Sequence, residues 1–457
     1  MKGHGLWSFS PYRPPFFDVG DIYIYRIVPF ADSVHFEWQK NGESYEIFYR
    51  KRDEKEFVFA GKTEKCEFDI KGLCDDTDYE FYVCDGDKKS RVRLARTGAP
   101  IGSVVNYLHP DDKAYSFSGE FLCSPGLVRH PDGFLLASMD VYKLGGPQNL
   151  TLIFRSDDEG ESWHYVSELM PSFWGKMFIH KGELYMLSCS TEYGDLLIGK
   201  STDGGKTFCA PVCLLRGSGG KDGKDGIHKN PQNVFVHNGR IYETLEWGTW
   251  ANKEWGHAAM VMSCDVNDDL LVPENWSFSY PVKFDHFAPE MVDLQKPVMT
   301  IEGTLTTAPD GKLLNIMRFG KRDHVLAYEV NTVDHEAPLK YHSTKKMGVT
   351  FSKFMIKFDE ISKKYYSVAS KTHDGCPDYA RNFLVLMSSP DLDNWTIEKE
   401  LFDYRHLDPE KVGMQYIDFS FDGDDIIYLS RTAINNAATF HDSNYSTFHR
   451  IKNFRNI

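Results

Sequence analysis

The chain has 457 residues, of which 14% are aromatic and 36 are glycine, and its formal net charge is −14. This negative charge excludes nucleic acid as a bulk electrostatic partner, although it leaves room for a local basic pocket. The sequence contains no run of about 18 apolar residues, which excludes a membrane-spanning helix of ordinary length. Nine cysteines without a C-x-x-C or zinc spacing indicate free thiols in a reducing compartment.

The first 19 residues lack the uninterrupted apolar core of a signal peptide. We interpret residues 1–19 as an N-terminal extension. Together with the free thiols, this interpretation predicts a cytoplasmic protein, or a secreted one if a signal segment has been removed from the sequence.

Residues 20–98 carry the alternating pattern of half-buried β-strands. Apolar side chains occupy every second position of 34–38, 45–49 and 79–83. The spacing before Tyr79 is that of a tyrosine corner, in which the hydroxyl bonds to upstream backbone and fixes the edge of a β-sandwich. We therefore predict a small sandwich that resembles a fibronectin type III domain and serves as a spacer or a docked wall.

Six similar hairpins follow from residue 120 onward. Each has short apolar strands on both sides of a turn, and their spacing of roughly 50–70 residues fits a four-stranded propeller blade with its loops. The hairpins lie at 130–140, 180–190, 237–247, 309–319, 359–370 and 422–432. These repeats predict an all-β fold with a six-bladed β-propeller over residues 99–457. Seven blades stay open as an alternative because the region 240–300 is long.

The ring of blades needs a closing strand. We expect the stretch Ser103–Phe117 to supply a strand that pairs with the C-terminal strand Tyr445–Phe454, which would leave no unpaired edge. The glycine-rich stretch Gly217–Gly226 is predicted to be a flexible insertion between the second and third blades.

Three acidic turns share the order Ser, Asp and an aromatic residue. In the first turn, Asp158 and Ser156 are expected to bond backbone N–H groups, Gly160 to adopt a positive φ, and Trp163 to pack beneath the turn. The pattern recurs at 201–208 with Phe in the aromatic position, and more loosely at 389–395. Asp158 is therefore interpreted as structural rather than catalytic.

These turns resemble the Asp boxes of the sialidase (BNR) superfamily, which link the outer strands of propeller blades. The resemblance covers roughly residues 99–457. It implies a carbohydrate-active enzyme with its site at the mouth of a central funnel.

Residues about eight positions before and after each hairpin turn converge on one mouth of such a propeller, because a strand rises about 3.3 Å per residue. The residues at these positions that can bind a sugar are Lys143, Trp174, Trp247, Arg318, Arg381, Gln415, Arg431 and His441, with Glu192 beside them. Arg side chains next to aromatic rings suit an anionic sugar, whose carboxylate would bind guanidinium groups. In the alternative interpretation, some of these charges pair with Asp and Glu across blade boundaries.

The resemblance to sialidases extends to single residues. Glu302, a D-G turn and Arg318 follow one another as in the sialidase strand pair, and Arg381 precedes the third acidic turn. Tyr416 matches the nucleophilic tyrosine of the last blade. The resemblance implies that Glu302 takes the proton of Tyr416, whose phenolate then attacks the anomeric carbon.

Two sialidase features are absent from the first blade. The first arginine of the sialidase triad is replaced in Cys123-Ser124-Pro125, and the loop Gly145–Asn149 stands where the general-acid Asp is expected. We consider His228, Asp140 and Glu246 as replacement acids, although Asp140 lies a strand earlier than the sialidase residue. These departures argue against a sialidase acting on sialic acid.

His228 and His441 stand at the starts of inner strands among polar neighbours. Each is interpreted either as a hydrogen-bonding residue that ties a loop or as an acid, base or carboxylate-binding group. No pair has the spacing of a strong metal site, so we expect no metal and no cofactor in catalysis.

Three functions stay open from the sequence. The first is an exo-acting glycoside hydrolase on an acidic or unusual sugar, because a six-bladed funnel is a pocket. The second is a polysaccharide lyase that cleaves uronates by β-elimination, in which arginine neutralises the carboxylate and Tyr416 moves the proton. The third is a glycan-binding propeller without catalysis. The sequence does not define the sugar, the linkage or the oligomeric state.

Overall fold

The computed structural model describes residues 6–8, 18–252, 256–283 and 300–457. Most of the extension 1–19 lies outside these residues, and so does 284–299, which is part of the long region 240–300 behind the seven-blade alternative. The described residues form strands β1 to β33 and three short 3-10 helices, at Lys221–Gly223, Pro273–Asn275 and Phe454–Asn456. None of these helices has the length and apolar character needed to cross a bilayer.

Two antiparallel sheets pack face to face near the N-terminus. The first contains β1 (Ile24–Pro29), β2 (Ser33–Trp38) and β5 (Glu67–Lys71). The second contains β3 (Tyr45–Lys51), β4 (Val58–Thr63), β6 (Asp78–Asp85), β7 (Lys88–Lys89) and β8 (Arg93–Arg96). The alternating residues Val34, Phe36 and Trp38 are fully buried between them. Tyr79 Oη accepts the backbone N–H of Cys74 at 2.9 Å, which confirms the predicted tyrosine corner.

Six further antiparallel sheets, named I to VI, follow in chain order among the described residues. Sheet I has β10 (Phe121–Arg129), β11 (Leu135–Tyr142), β12 (Thr151–Ser156) and β13 (His164–Leu169). Sheet II has β14 (Phe173–His180), β15 (Glu183–Cys189), β16 (Leu196–Ser201) and β17 (Val212–Leu215). Sheet III has β18 (Gly226–His228), β19 (Phe235–His237), β20 (Arg240–Gly248), β21 (His257–Asp265) and β22 (Trp276–Phe278).

The remaining three sheets have four strands each. Sheet IV has β23 (Thr300–Thr307), β24 (Leu313–Phe319), β25 (His324–Glu329) and β26 (Lys340–Lys346). Sheet V has β27 (Lys357–Asp359), β28 (Lys364–Ser370), β29 (Phe383–Ser389) and β30 (Thr396–Asp403). Sheet VI has β31 (Gly413–Asp422), β32 (Asp425–Ala433), β33 (Tyr445–Ile451) and β9 (Ser103–Tyr107).

The six sheets form a closed ring. Strand β10 packs against both β14 and β31, so sheet I contacts sheets II and VI. Strand β23 contacts β20 and β27, β28 contacts β31, and a shared apolar cluster joins sheets II and III. Each of the six predicted hairpins joins the two innermost strands of one sheet, and in sheet III it joins β19 to β20. Strand β9 pairs with β33 as predicted, so an early segment completes the last sheet.

The sandwich is docked on the ring. Arg26 Nε donates at 2.9 Å to the backbone oxygen of Val105, which lies in β9 of sheet VI. The Tyr25 ring stacks on Tyr165 of β13 with centroids 4.3 Å apart. Both rings are partly buried and pack against the apolar cluster of sheet I, so the sandwich contacts sheet I as well as sheet VI.

The three acidic turns connect the third and fourth strands of sheets I, II and V, and they share one hydrogen-bond pattern. In the first turn, Ser156 Oγ donates to Asp158 Oδ1 at 2.8 Å, and the Ser162 N–H donates to the same oxygen at 2.9 Å. Trp163 Nε1 donates to the backbone oxygen of Gly160 at 3.2 Å. Gly160 has φ 91° and lies against Phe448, which leaves no room for a side chain. These contacts support a structural role of Asp158.

We expect the substitution Asp158→Ala to lower the free energy of unfolding by about 0.5–1.5 kcal/mol, because it removes the hydrogen bonds that the exposed Asp158 carboxylate accepts within the turn. Urea denaturation measures this change. The matched control is Asp157→Ala, because Asp157 is exposed and pairs with Arg155 at the surface. That control is expected to change stability by no more than about 0.5 kcal/mol. Equal stability of the two variants would contradict the structural role.

Candidate functional site

Four innermost strands carry a β-bulge that holds a residue other than glycine at positive φ. The values are 50° for Ser124, 53° for Trp174, 56° for Glu302 and 53° for Tyr416. The pairing register shifts at each of these positions. A bulge bends the strand and re-aims a side chain, and such strained backbone is concentrated at functional sites. Trp174, Glu302 and Tyr416 are among the site residues that the sequence predicts.

Tyr416 and Glu302 meet across the ring mouth. Tyr416 Oη donates to Glu302 Oε1 at 2.7 Å, although sheets VI and IV are separated by sheet V. Arg318 forms an ion pair with Glu302 Oε2 and also donates to Tyr416 Oη at 3.2 Å. The arrangement places a proton acceptor and a cation on the same phenol oxygen, which is the geometry required to activate a nucleophile.

The electrostatics of this group follow from burial and from the arginines. Burial raises the pKa of Glu302, but the charge of Arg318 overrides this effect and lowers that pKa to about 2. Burial and Glu302 raise the pKa of Tyr416, while three neighbouring arginines lower it in part. Glu302 is therefore ionised at neutral pH and can accept the hydroxyl hydrogen of Tyr416.

Two further arginines flank the Tyr416 ring. The guanidinium carbons of Arg381 and Arg431 lie 5.6 and 5.2 Å from its centroid. Burial lowers the pKa of Arg381 to about 9, and the positive charges of Arg318 and Arg431 act in the same direction. Among the described residues, Nε and Nη1 of Arg381 are buried and have no hydrogen-bond partner. Buried charged groups are usually paired or hydrogen-bonded, because an unpaired buried charge is energetically costly.

His228 and Glu246 form a buried pair on the third sheet. His228 Nδ1 lies 2.6 Å from Glu246 Oε2, and the other oxygen, Oε1, accepts the backbone N–H of Glu302 at 2.9 Å. Glu246 thus orients the imidazole and supports the strained backbone of Glu302 at the same time. With a proton on Nδ1, the Nε2 atom is the one that can exchange a proton with a substrate.

Aromatic rings surround His228. The Trp174 centroid lies 4.4 Å from the imidazole, and those of His257 and Trp250 lie 4.8 and 6.2 Å away. Burial lowers the pKa of His257 to about 2, so this imidazole is neutral. These rings come from sheets II and III and from the loop after β20, and together they form an aromatic wall beside His228.

Glu192 lies at the edge of the same wall. Its Oε1 accepts the indole N–H of Trp250 at 3.2 Å, and its Oε2 accepts from Gln148 Nε2 at 3.1 Å. Burial raises the pKa of Glu192, and the charge of His228 lowers it in part.

Three predicted site residues do not join this group. Asp140 is fully buried and accepts a hydrogen bond from Thr151 at 2.5 Å, and burial raises its pKa to about 7. Lys143 pairs with Glu120 at 2.8 Å on the rim. Trp247 packs with the apolar cluster of sheets II and III, because strand alternation turns it away from the face that carries Glu246.

Gln415 and His441 lie beside the arginines. Gln415 Nε2 donates to Ser443 Oγ at 3.1 Å, and its Oε1 has no partner among the described residues. Arg431 Nη2 donates to the backbone oxygen of His441. Burial together with the charge of Arg431 lowers the pKa of the His441 imidazole to about 4. Gln415 and His441 therefore line the part of the pocket that sheet VI forms.

The sequence-based selection omitted several residues that complete the walls. Tyr142 lies 5.4 Å from the Arg431 guanidinium, and Tyr193 Oη lies 3.1 Å from His257 Nε2. Gln148 lies in the loop Gly145–Asn149, for which the sequence predicts only the absence of an acid. Tyr142 could have been found by its position two residues after Asp140, whereas no local signal marks Gln148.

A layer of buried ions lies under the pocket. Lys176 forms an ion pair with Asp418, and Lys229 lies 3.7 Å from Glu243, with all four side chains fully buried. Burial lowers the pKa of Lys353 to about 8, and this residue lies 6.0 Å from the Tyr416 centroid. Within the described ranges, no group of three or more His, Cys, Asp or Glu side chains could hold a metal ion.

No family model and no curated protein matches the chain. Solved structures do match it. An α-L-arabinanase from Penicillium chrysogenum, complexed with arabinobiose, is 13% identical, with 78% of this chain and 99% of that chain covered and a TM-score of 0.50. A mutant α-L-arabinofuranosidase from Fusarium graminearum, complexed with an iminosugar inhibitor, is 12% identical, with 77% and 97% covered and a TM-score of 0.50.

The chain is a β-propeller. This likeness shows the fold alone, because the identities are low and fold does not define function. An ulvan lyase, bound to a unit of glucuronate and sulfated rhamnose, is 12% identical over 98% of this chain and 96% of that chain, with a TM-score of 0.44.

Proposed function

We propose that the protein is a glycoside hydrolase that removes an acidic sugar from the end of a glycan. The observation that carries the proposal is the hydrogen bond of 2.7 Å between Tyr416 and Glu302, surrounded by three arginines. In the proposed reaction, Glu302 takes the proton of Tyr416 while the phenolate oxygen attacks the anomeric carbon. A neutral nucleophile is suited to an anionic substrate because it avoids the repulsion that a carboxylate would meet.

The arginines define the proposed substrate class. Arg381 has buried donors without a partner among the described residues, and Arg431 lies on the other side of the same phenol ring. A carboxylate on the sugar would pair with these donors, and Trp174 would contact the sugar face. Cys123 and Ser124 replace the first arginine of the sialidase triad, so we propose an acidic sugar other than sialic acid.

The proposal includes a finer view of the architecture. We regard sheets I to VI as six propeller blades of the sialidase type and the N-terminal sandwich as fibronectin III-like. The buried ion layer beneath Tyr416 supports a closed pocket rather than a through channel. A closed pocket favours exo action, because only a chain end can enter it.

A specific observation favours a polysaccharide lyase as a second candidate. His228 is oriented by Glu246 so that its Nε2 can remove a proton from a substrate. With Arg381 neutralising a uronate carboxylate, the same pocket could perform β-elimination.

The test is to incubate the protein with aryl glycosides and oligosaccharides of uronic and sialic acids. Released reducing ends and the ultraviolet absorbance of a new double bond are measured together. Reducing ends without absorbance, abolished by Glu302→Gln, are expected for the hydrolase. Absorbance would replace the hydrolase by the lyase, and binding without either signal would support a glycan-binding protein.

A further inference from the structure

The proposed hydrolase needs a group that protonates the leaving oxygen. Asp140 and Glu246 are both fully buried and are engaged in contacts with neighbouring residues. Neither can approach a glycosidic oxygen without breaking the contacts that hold the bulged strands. The donor must therefore come from a side chain that the pocket can reach.

We propose that Glu192 is the general acid and base of this reaction, which rests on the proposed function. Its half-buried carboxyl group accepts the indole N–H of Trp250, whose ring lies 6.2 Å from His228 of sheet III, and the amide N–H of Gln148 from the first-blade loop. This side of the ring faces Glu302 and Tyr416 of sheets IV and VI. A sugar held by the arginines and attacked by Tyr416 would direct its leaving group toward Glu192.

The loop that lacks the expected acid holds Glu192 in place. Gln148 is almost fully buried in the loop Gly145–Asn149, and its amide donates to Glu192 Oε2 at 3.1 Å. The hydroxyl of Thr191 donates to the backbone oxygen of Pro147 at 2.5 Å, which fastens the two loops together. The first-blade loop thus supports an acid that the next sheet supplies.

The local environment suits a carboxyl group that holds a proton. The two partners of Glu192, the Gln148 amide and the Trp250 indole, are uncharged, and among the described residues no Lys or Arg forms an ion pair with it. Burial raises the pKa of Glu192 by more than the charge of His228 and the two hydrogen bonds lower it, which favours the protonated carboxyl group, as in glycosidases that keep one acid neutral beside an ionised one. Glu302, paired with Arg318, is ionised on the opposite side.

The reaction then has two balanced steps. In the first, the Tyr416 oxygen bonds to the anomeric carbon, Glu302 receives the tyrosine proton, and the bond to the leaving oxygen breaks as Glu192 donates its proton to it. In the second, the Glu192 carboxylate takes a proton from water, whose oxygen attacks the anomeric carbon. The bond to Tyr416 breaks, and Glu302 returns its proton.

The test compares Glu192→Gln on two substrate classes. An oligosaccharide needs a proton donor, whereas an aryl glycoside with a strongly acidic phenol does not. We expect kcat/KM on the oligosaccharide to fall by about 10²–10⁴-fold and kcat/KM on the activated glycoside to stay close to wild type. In Glu192→Gln the second step lacks a base that deprotonates water. Added azide is expected to restore kcat on the activated glycoside, because azide attacks the anomeric carbon without losing a proton.

The pH profile gives an independent readout. The reaction needs protonated Glu192, so kcat/KM falls as the pH rises through the pKa of this group, which burial raises. This falling limb is expected to disappear in Glu192→Gln. The matched control is Glu183→Gln. Glu183 begins β15, far along the strand from the loop that carries Glu192, and its carboxylate pairs with Lys200 at 2.9 Å.

The outcomes separate the two proposals. Equal losses on both substrate classes, or an unchanged pH profile, would overturn the role of Glu192 and leave the hydrolase standing. If His228→Asn gave the substrate-dependent loss instead, His228 would be the acid. A wild-type protein that hydrolyses none of the acidic glycosides would overturn both proposals together.

Discussion

The substitution Tyr416→Phe is expected to lower kcat by at least about 10⁴-fold, the order observed when a catalytic nucleophile is removed. It deletes one oxygen atom, which accepts from Arg318 at 3.2 Å and donates to Glu302 at 2.7 Å. Substrate affinity is expected to change little, because the arginines and the aromatic wall stay in place. Steady-state rates on an acidic aryl glycoside and calorimetric binding of the product sugar measure these two effects.

The matched control is Tyr365→Phe. Tyr365 Oη donates to the backbone oxygen of Thr307 at 2.7 Å, at the end of the ring opposite the catalytic group. This variant loses a buried hydroxyl of the same kind, so it accounts for any general effect on stability. A Tyr416→Phe protein with near wild-type kcat on the activated glycoside would rule out the tyrosine nucleophile.

The fold could be predicted because its signals are local. Alternating apolar residues define the strands, the six turns define the hairpins, and the acidic turn around Asp158 repeats in three sheets, each time with backbone N–H groups donating to the Asp side chain. Counting positions from each turn also placed Glu302, Arg318 and Tyr416 at one mouth of the ring. Regular strand geometry carries this count from the turn to the mouth.

The rest of the site could not be predicted because bulges interrupt that regularity. A bulge inserts a residue and changes which face a side chain occupies, as at Ser124 and Tyr416, so a count of positions does not give the face there. Asp140 was placed at the mouth by the same count, but it is buried against Thr151. The contact between Gln148 and Glu192 joins two loops of different sheets, and no local pattern encodes it.

The substitution Arg381→Met is expected to stabilise the protein while it removes binding of the acidic sugar. Arg381 is buried with two donors that lack partners among the described residues, and burial lowers its pKa to about 9. Replacing such a cation by an apolar side chain of similar length is expected to raise the free energy of unfolding by about 1–4 kcal/mol. The loss of one charge-assisted hydrogen bond to the sugar carboxylate, worth about 1.5–3 kcal/mol, corresponds to roughly a 10–10²-fold loss of kcat/KM.

Arg93→Met provides the control of opposite sign. Arg93 is equally buried, but its Nε donates to the fully buried carboxylate of Asp112 at 2.7 Å. Removing this partner leaves an unpaired buried charge, so the free energy of unfolding is expected to fall by about 3–5 kcal/mol. Urea denaturation of both variants and kcat/KM on acidic and neutral glycosides measure the contrast. A destabilised Arg381→Met protein would mean that this cation already has a partner within the fold, and the argument for an anionic substrate would lose its basis.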